Sequence, residues 1–220
     1  ADLREAVEER DLLIAEVNHR VKNSLQLVTS VLNLEAAGAR GTDAETSLRR
    51  AAARVQAVST VHGALYQSND VRSVDLVAFL RTLCEHVAMS AGGEEQGVTM
   101  QLDLGDAPVR IATDRAISLS LIVNELITNA FKHAFPAGRS GTVTVSLDTS
   151  DKDRITVRVK DDGIGITRKD GTQTRDEKLD NKPSGGLGSK LIASLSGQIG
   201  ATLVRESNEN GHCIELELPL

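Results

Sequence analysis

The residues of this chain best suited to chemistry begin with a histidine near the N-terminus. His19 stands in the segment EVNHRVKN (residues 16–23), among polar and charged neighbours. The apolar residues around it recur at alternating steps of four and three, which predicts a helix with one apolar seam. At 100° per residue, His19 lies about 200° around that helix from Val17, so we expect its imidazole to face water. An exposed histidine is more often a solvated surface residue than a reactive one, so a role for His19 depends on the rest of the chain.

A second group lies in the segment NELITNAFKH (residues 124–133). Glu125, Asn129 and Lys132 are spaced four and three apart, which predicts that they project from one helix face, with His133 next in the chain. A carboxylate, a carboxamide and an ammonium group placed in this way can serve Mg²⁺ and phosphate oxygens together, with Glu125 and Asn129 as the metal ligands. The flanking apolar residues predict a largely buried helix, which disfavours a solvated polar face.

Two glycine-containing segments complete the set. The segment DDGIG (residues 161–165) ends a predicted strand, where Asp161 can accept a hydrogen bond from an exocyclic amine while Gly163 and Gly165 let the backbone approach a flat base. The segment SGGLG (residues 184–188) enters a predicted helix, and glycines there expose backbone N–H groups to an anion. Each segment alone is a weak signal, but the three groups in this order are a strong one.

With these motifs the chain resembles the histidine kinases, and its second domain is similar to the GHKL ATPase fold. Residues 124–133 match the asparagine box, residues 161–165 the first glycine box, and residues 186–188 the second. The sequence HRVKN at residues 19–23 is similar to the HWE kinases and their sibling class with a related H-box. The chain has no Trp, so the W-x-E element that names the HWE group is absent and the sibling class fits better.

The resemblance implies a role for each matching residue. His19 would be the phosphoacceptor, Asn129 would coordinate Mg²⁺, and Asp161 would receive the adenine amino group of ATP. Glu125, a further candidate catalytic residue, stands where many histidine kinases have Asn and other GHKL ATPases have an acidic residue. Residues 167–184 would form the ATP lid. The residues implied to approach the phosphates or shape the nucleotide pocket are Lys132, His133, Gly163, Gly165, Gly186, Leu187 and Gly188.

The H-box departs from the usual kinase pattern at two positions. Arg20 replaces the acidic residue that commonly follows the histidine and acts as its base, and Ser24 replaces a proline. We therefore expect the kink of the first helix to be weak or absent. Glu16, one turn before His19, is the candidate base. In the second domain, Ser184 stands where the second glycine box often begins with Gly, and the lid lacks the usual Phe element.

Four functions are compatible with these motifs. The first is a protein-histidine kinase that autophosphorylates His19 from Mg-ATP and passes the phosphoryl group to an aspartate of a response-regulator receiver. The second is a phosphatase-biased regulator in which the Asn23 carboxamide holds the attacking water. A non-catalytic phosphotransfer relay is disfavoured because it need not keep the nucleotide motifs. A gyrase- or chaperone-type clamp is disfavoured because the H-box precedes the ATPase domain.

The elements that would position these groups form an α+β fold with two domains. Residues 1–70 read as a helical hairpin: one helix to about Ala37, turn residues 38–43, and a second helix to about Tyr66 with Thr42 or Asp43 as its cap. Two helices bury little apolar surface, so we expect the hairpin to dimerise into a four-helix bundle. His62 is expected to pack at the bundle seam.

Residues 71–220 read as an α/β sandwich, with one antiparallel or mixed sheet and helices on one face. We expect a helix over 74–89, a strand over 98–104, a helix over 114–134 stopped by Phe135-Pro136, and a short helix over 187–195. Further strands are expected over 142–147, 154–160, 201–205 and 213–218. A polar loop spans 163–186. His86 and His212 are expected at the surface or at a sheet edge.

The composition argues against three classes: nucleic-acid binders, membrane-spanning proteins and disulfide-rich proteins. The net charge of −6 and the lack of a Lys/Arg run argue against a nucleic-acid binder. The chain has no apolar run near the ~18 residues that a membrane helix needs and no signal peptide, which favours a cytoplasmic protein. Cys84 and Cys213 are too few for a disulfide framework and read as reduced core thiols. Because the first heptad begins at once, we expect an upstream sensor domain in the longer protein.

Overall fold

The computed structural model describes residues 2–67, 73–91, 97–165, 177–178, 187–208 and 210–219. The chain divides into two compact units, Ala1–Val74 and Asp75–Leu220. The first unit is helical and the second combines helices with a sheet, so the structure has the predicted α+β class.

The first unit is a hairpin of two helices, α1 (Asp2–Gly38) and α2 (Asp43–Gln67). Gly41 turns the chain between them with φ at 80°, a conformation that glycine adopts without strain. The Thr42 hydroxyl accepts a hydrogen bond from the Glu45 backbone N–H at 3.4 Å, and the Glu45 carboxylate accepts one from the Gly41 N–H at 2.8 Å. Of the two residues predicted as possible caps of α2, Thr42 therefore makes the hydroxyl bond.

The hairpin buries few residues by itself. Ala36 and Ala52 are the buried apolar residues that the structure describes in the two helices. In contrast, several large apolar side chains of α1 are between 46% and 73% exposed in the single chain. These define the exposed apolar stripe of α1: Leu13, Val17, Leu27, Val28, Val31 and Leu34.

From Ser73 onward, the described ranges of the chain contain three helices and eight strands of different lengths. The helices are α3 (Leu76–Ala91), α4 (Thr113–His133) and α5 (Leu187–Gln198), and a 3₁₀ turn spans Pro136–Gly138. The strands are β1 (Ser73–Asp75), β2 (Val98–Asp103), β3 (Arg110–Ala112), β4 (Gly141–Asp148), β5 (Arg154–Asp161), β6 (Glu177–Lys178), β7 (Thr202–Asn208) and β8 (Gly211–Pro219).

Six strands form one sheet in the order β2-β4-β5-β8-β7-β6, and β1 pairs with β3 in a separate two-stranded sheet. β2 runs parallel to β4, whereas the other neighbours are antiparallel, so the large sheet is mixed. Strand β5 buries alternate residues, Ile155, Val157, Val159 and Asp161. This period of two shows that one face of the sheet is covered, and helices α3, α4 and α5 contact its strands.

An aliphatic core lies between the sheet and the helices. Leu80 and Leu83 of α3 and Leu119 and Ile127 of α4 are 0–1% exposed, as is Leu216 of β8. The core is therefore made mainly of Leu, Ile and Val side chains, with Phe79 of α3 also 1% exposed within it, and burial of these groups supplies the main favourable free energy of folding.

Several elements differ from the sequence-based expectations. The helix expected to begin at Val74 begins at Leu76, because Asp75 accepts a hydrogen bond from the Val77 N–H at 3.0 Å and caps it. Residues 73–75 form strand β1 instead, and β3 was not expected at all. The loop expected over 163–186 contains the short strand β6, and α5 continues three residues beyond Leu195, to Gln198.

Candidate nucleotide site and histidine face

A cavity of about 450 Å³ lies in the second unit where α4, α5 and the sheet meet. Its described lining comes from α4, from the end of β5 and the residues after it, from α5, and from β7 and β8. Of the residues predicted to bind nucleotide, the cavity brings together Asn129, His133, Asp161 and Gly165. Its volume falls within the range of small-molecule and cofactor pockets.

Asp161 is held at the base of this cavity by backbone donors. It is 5% exposed, and its Oδ1 accepts hydrogen bonds from the Gly163 N–H at 3.1 Å and the His212 N–H at 3.2 Å. Within the described residues its other oxygen accepts no hydrogen bond, which leaves an acceptor for a ligand. Desolvation by burial raises the pKa of Asp161, and the two backbone hydrogen bonds oppose this rise.

The glycines near Asp161 allow close backbone approaches. A Cβ on Gly163 would lie 2.4 Å from the carbonyl oxygen of Ala134, at the end of α4. Gly165 has φ at 64°, and a Cβ there would lie 2.0 Å from the Asn208 carbonyl oxygen. Any larger residue would therefore displace the backbone that surrounds the cavity.

Asp162 has a structural role that the sequence motif did not distinguish. Its Oδ1 accepts a hydrogen bond from the Thr142 N–H at 2.7 Å, and its backbone carbonyl accepts one from the Arg139 guanidinium at 3.1 Å. A Cβ on Gly141 would lie 2.4 Å from the same carboxylate oxygen. Of the two adjacent aspartates, Asp162 thus fixes the start of β4, while Asp161 faces the cavity.

The three residues predicted to share one face of α4 differ in their exposure to solvent. Asn129 and Lys132 are exposed, and Asn129 lines the cavity with His133. Glu125 is only 5% exposed and is not among the lining residues. A Cβ on Gly188 would lie 2.9 Å from Glu125 Oε2, so the first turn of α5 packs against this carboxylate. The structure therefore places Glu125 beside the second glycine motif.

The oxygen atoms of Glu125 and Asn129 are of the kind that Mg²⁺ prefers, and the two residues lie one helical turn apart. No cluster of three or more His, Cys, Asp or Glu residues suited to a metal occurs in the described part of the chain. A magnesium ion at this position would therefore depend on substrate oxygens and water as further ligands, as is common for nucleotide-bound Mg²⁺.

Part of the predicted nucleotide site lies outside the described residues. Gly186 and most of the predicted lid over 167–184 belong to this part, and only the backbone of Leu187 can be placed, in the first turn of α5. Within the lid range, Glu177–Lys178 pair with Val204 and Arg205 of β7.

Two lining residues with titratable side chains, Arg205 and His212, were missed by sequence reasoning. His212 was expected at the surface or a sheet edge, but it is partly buried and lines the cavity next to Asp161, its partner in the β5–β8 register. Burial lowers the pKa of His212 to about 4, and the nearby charge of Arg205 contributes to this shift. No local pattern could have identified His212, because its place depends on the pairing of two distant strands.

Next to His19 on α1, two pairs of side chains interact across one helical turn. Asn23 Nδ2 lies 3.5 Å from His19 Nδ1, and both residues are exposed. The Arg20 Nε donates to Glu16 Oε1 at 2.8 Å, so the candidate base is engaged by the residue that follows the histidine. The Ser24 hydroxyl donates to the Arg20 carbonyl at 2.9 Å. The helix continues through this region without a break, as the missing proline predicted.

Both cysteines are free thiols. Burial raises the pKa of Cys84 to about 12 and that of Cys213 to about 11, so both are protonated at neutral pH and carry no reactive thiolate. Among the described helices, none combines the length and apolar character needed to span a membrane.

Comparison with protein families matches both parts of the chain. The model for the family HisKA_2, described as histidine kinase, matches residues 16–91. The model described as histidine kinase-, DNA gyrase B-, and HSP90-like ATPase matches residues 114–220. The first match includes His19 and Asn23, and the second includes the residues described around the cavity from α4 to β8.

Individual proteins are similar over nearly the whole chain. Blue-light-activated histidine kinase 2 of Erythrobacter litoralis is 30% identical over 96% of this chain, and the sensor histidine kinase PdtaS of Mycobacterium tuberculosis is 30% identical over 96%. The chain spans 58% and 40% of the lengths of these two relatives. The solved histidine kinase domain of the Erythrobacter litoralis EL346 blue-light activated histidine kinase superposes with a TM-score of 0.66 at 26% identity, covering 98% of this chain and 94% of that one.

Proposed function

The chain belongs to the histidine kinases, in the class related to the HWE kinases, and we propose that it autophosphorylates His19 from Mg-ATP. The observation that carries this proposal is the cavity that joins Asp161 at one end of β5 to Asn129 and His133 on α4. Asp161 has a free acceptor oxygen for the adenine amine, while the α4 side chains supply a carboxamide and an imidazole suited to phosphates.

In the proposed reaction a neutral imidazole nitrogen of His19 attacks the γ-phosphorus of ATP in line. A P–N bond forms, the bond from the γ-phosphorus to the bridging oxygen breaks, and ADP leaves with the electron pair. The imidazole then loses its ring proton to a base. Mg²⁺, held at Asn129 with Glu125 one turn away, would neutralise charge on the phosphates when bound, and Lys132 would add a positive charge nearby.

Glu16 remains our candidate for the base. Its ion pair with Arg20 is largely exposed, with the two side chains 57% and 77% accessible, so holding it closed is worth no more than about 1 kcal/mol. Glu16 can therefore leave Arg20 at little cost when the ATP-binding domain approaches His19. Arg20 would then hold Glu16 in an ion pair that opens when Glu16 is needed as the base.

We further propose that the phosphoryl group passes to an aspartate of a response-regulator receiver. The exposed face of α1 around His19, together with the neighbouring helix α2, would form the docking surface. Two copies of the chain would pair through the exposed apolar stripe of α1. A cytoplasmic location completes the proposal.

Phosphatase activity toward the receiver is a second candidate function, because Asn23 lies on the same face as His19. Its carboxamide lies 3.5 Å from the imidazole and would orient a water molecule toward a phosphoaspartate docked over His19. Asn23 would then act in the removal of phosphate from the receiver. The relay function has less support, because Asp161 and the glycines around it keep the close approaches that a nucleotide pocket needs.

The kinase proposal is tested by incubating the chain with Mg-ATP and mapping the modified residue by mass spectrometry under alkaline conditions. We expect one added phosphoryl group on the peptide that contains His19. A chain that binds ATP but gains phosphate only at other residues would contradict the assignment, and a chain that gains none and binds no ATP would favour the relay.

A further inference from the structure

The turn that follows Asp161 is held by an arginine from another part of the chain. The peptide group between Asp162 and Gly163 has both of its polar atoms engaged. Its carbonyl oxygen accepts a hydrogen bond from Arg139 Nη2 at 3.1 Å, and its N–H donates to Asp161 Oδ1 at 3.1 Å. The arginine, this peptide group and the carboxylate that faces the cavity therefore form one continuous chain of hydrogen bonds.

The backbone that carries Arg139 is fixed by the end of α4. The 3₁₀ turn Pro136–Gly138 follows the helix, and Gly138 has φ at 77°, a conformation that glycine adopts without strain. The Arg139 N–H then donates to the Pro136 carbonyl oxygen at 3.2 Å. The exposed Arg139 side chain thus reaches the turn after β5 from a defined backbone position.

Other backbone bonds hold the residues on each side of the same peptide group. The Asp162 N–H donates to the Thr142 carbonyl oxygen at 3.2 Å, and Asp162 Oδ1 accepts from the Thr142 N–H at 2.7 Å. The Ile164 N–H donates to the Ala134 carbonyl oxygen at 3.0 Å. These bonds place the turn in the fold, whereas Arg139 acts on the peptide group whose N–H contacts the catalytic-domain carboxylate.

A guanidinium group is permanently charged, so its hydrogen bond to a carbonyl oxygen is a charge-assisted one. Such a bond orients the peptide plane and polarises it, which makes the N–H at the other end a stronger donor. The Gly163 N–H lowers the pKa of the Asp161 carboxyl, against the rise that burial causes. Arg139 therefore influences Asp161 through the intervening peptide group.

We propose that Arg139 is a positioning residue for the nucleotide site. It orients and polarises the Asp162–Gly163 peptide group, and this group holds the Asp161 carboxylate ionised, with its second oxygen available to a ligand. Arg139 is not among the described residues that line the cavity, so it acts through Asp161 and not by touching the nucleotide. This inference rests on the proposed function, because its consequence is tighter nucleotide binding.

The test compares three variants of the full chain. Arg139→Ala removes the donor, whereas Arg139→Lys keeps a charged donor, which suffices because the described bond comes from one guanidinium nitrogen. Arg154→Ala is the matched control, since it removes an exposed positive charge whose partner is the Glu217 carboxylate. Calorimetry measures ADP affinity, carbon-13 NMR follows the titration of the Asp161 carboxyl without nucleotide, and thermal unfolding measures stability.

We expect Arg139→Ala to weaken ADP binding about fivefold, the loss that corresponds to one net hydrogen bond. The Asp161 carboxyl should titrate at higher pH than in wild type, because the Gly163 N–H becomes a weaker donor. Arg139→Lys should restore most of both properties, and Arg154→Ala should leave both unchanged. Lower thermal stability of Arg139→Ala with an unchanged Asp161 titration, or ADP affinity equal to that of wild type, would overturn the proposal.

The measurements without nucleotide separate this inference from the proposed function. If the wild-type chain binds no ADP, the proposed function itself fails. The amide proton shift of Gly163 then still decides whether Arg139 positions the turn. An upfield shift in Arg139→Ala, towards a weaker hydrogen bond, would support the role of Arg139, and an unchanged shift would contradict it.

Discussion

At the scale of single residues, the sequence identified the chemical groups but not all of their surroundings. His19 and Asp161 were predicted from motif and spacing, and Asp161 does lie in the cavity. His212 could not be predicted, because its contact with Asp161 arises from strand pairing between residues far apart in the chain. The ion pair between Glu16 and Arg20 could not be predicted either. A helix places both His19 and Arg20 within reach of Glu16, and the sequence alone does not show which of them Glu16 contacts.

The first prediction at this scale concerns Asn23. Replacing it with Ala removes the carboxamide beside His19, so we expect loss of receiver dephosphorylation by at least tenfold with autophosphorylation within about threefold of wild type. Rates measured with purified phosphorylated receiver and with ATP check both halves. The variant Asn33→Ala, at another exposed position of α1, is the control. Equal rates of dephosphorylation in wild type and Asn23→Ala would remove Asn23 from that reaction.

The second prediction is a pH dependence of stability from His212. Its folded pKa of about 4 lies below the ordinary 6.5, so between these values the unfolded chain binds more protons. The free energy of unfolding should therefore fall as pH drops from 6.5 towards 4, by at most about 3 kcal/mol from this group, and should not depend on it above 6.5. Comparing urea unfolding of wild type and His212→Asn isolates the effect. Parallel curves for the two proteins would refute it.

At the scale of elements, helices and long strands were predicted well because their periodicity extends over many residues. The helices of the hairpin and α4 have clear apolar repeats and turn or proline signals at their ends. Strands β1 and β3 have three residues each, too few for any periodicity to show, and they exist through pairing with each other. The mixed sheet was one of two possibilities left open, and the parallel pair β2–β4 resolves it.

A prediction at this scale concerns the close packing of Gly163 against the C-terminal end of α4. Gly163→Ala places a Cβ 2.4 Å from the Ala134 carbonyl, so we expect destabilisation of the second unit by at least about 2 kcal/mol and weaker ADP binding. Gly63→Ala on helix α2 is the control, because a Cβ there meets nothing within 4 Å among the described residues and Ala favours a helix. Thermal unfolding and calorimetry measure both effects. Similar stability of the two variants would contradict the described packing.

At the scale of the whole molecule, the exposed apolar stripe of α1 is the feature that a single chain leaves unexplained. Monomeric proteins rarely expose a contiguous apolar surface of this kind, which supports the proposed pairing of two chains. The heptad pattern predicted an apolar seam on α1 but not which apolar residues would stay exposed, because the pattern alone could not say whether α2 or a second copy would cover them. The hairpin shows that α2 leaves the stripe exposed.

The corresponding prediction is that Val31→Glu weakens self-association at least tenfold, because it introduces a charge into the stripe. The neighbouring variant Ser30→Glu adds the same charge outside the stripe and should leave association unchanged. Sedimentation velocity over a range of concentrations checks this, with ADP affinity as the measure of an intact second unit. A wild-type chain that sediments as a monomer at all concentrations would rule out the pairing.

The central claim is that His19 receives phosphate from ATP bound in the cavity around Asp161. The most direct measurement is a time course with γ-labelled ATP on wild type, His19→Gln and Asp161→Asn, with His86→Gln as a control. We predict acid-labile, alkali-stable label in wild type and the control, none in His19→Gln, and at least tenfold slower labelling in Asp161→Asn at limiting ATP. Label that persists in His19→Gln would contradict the account.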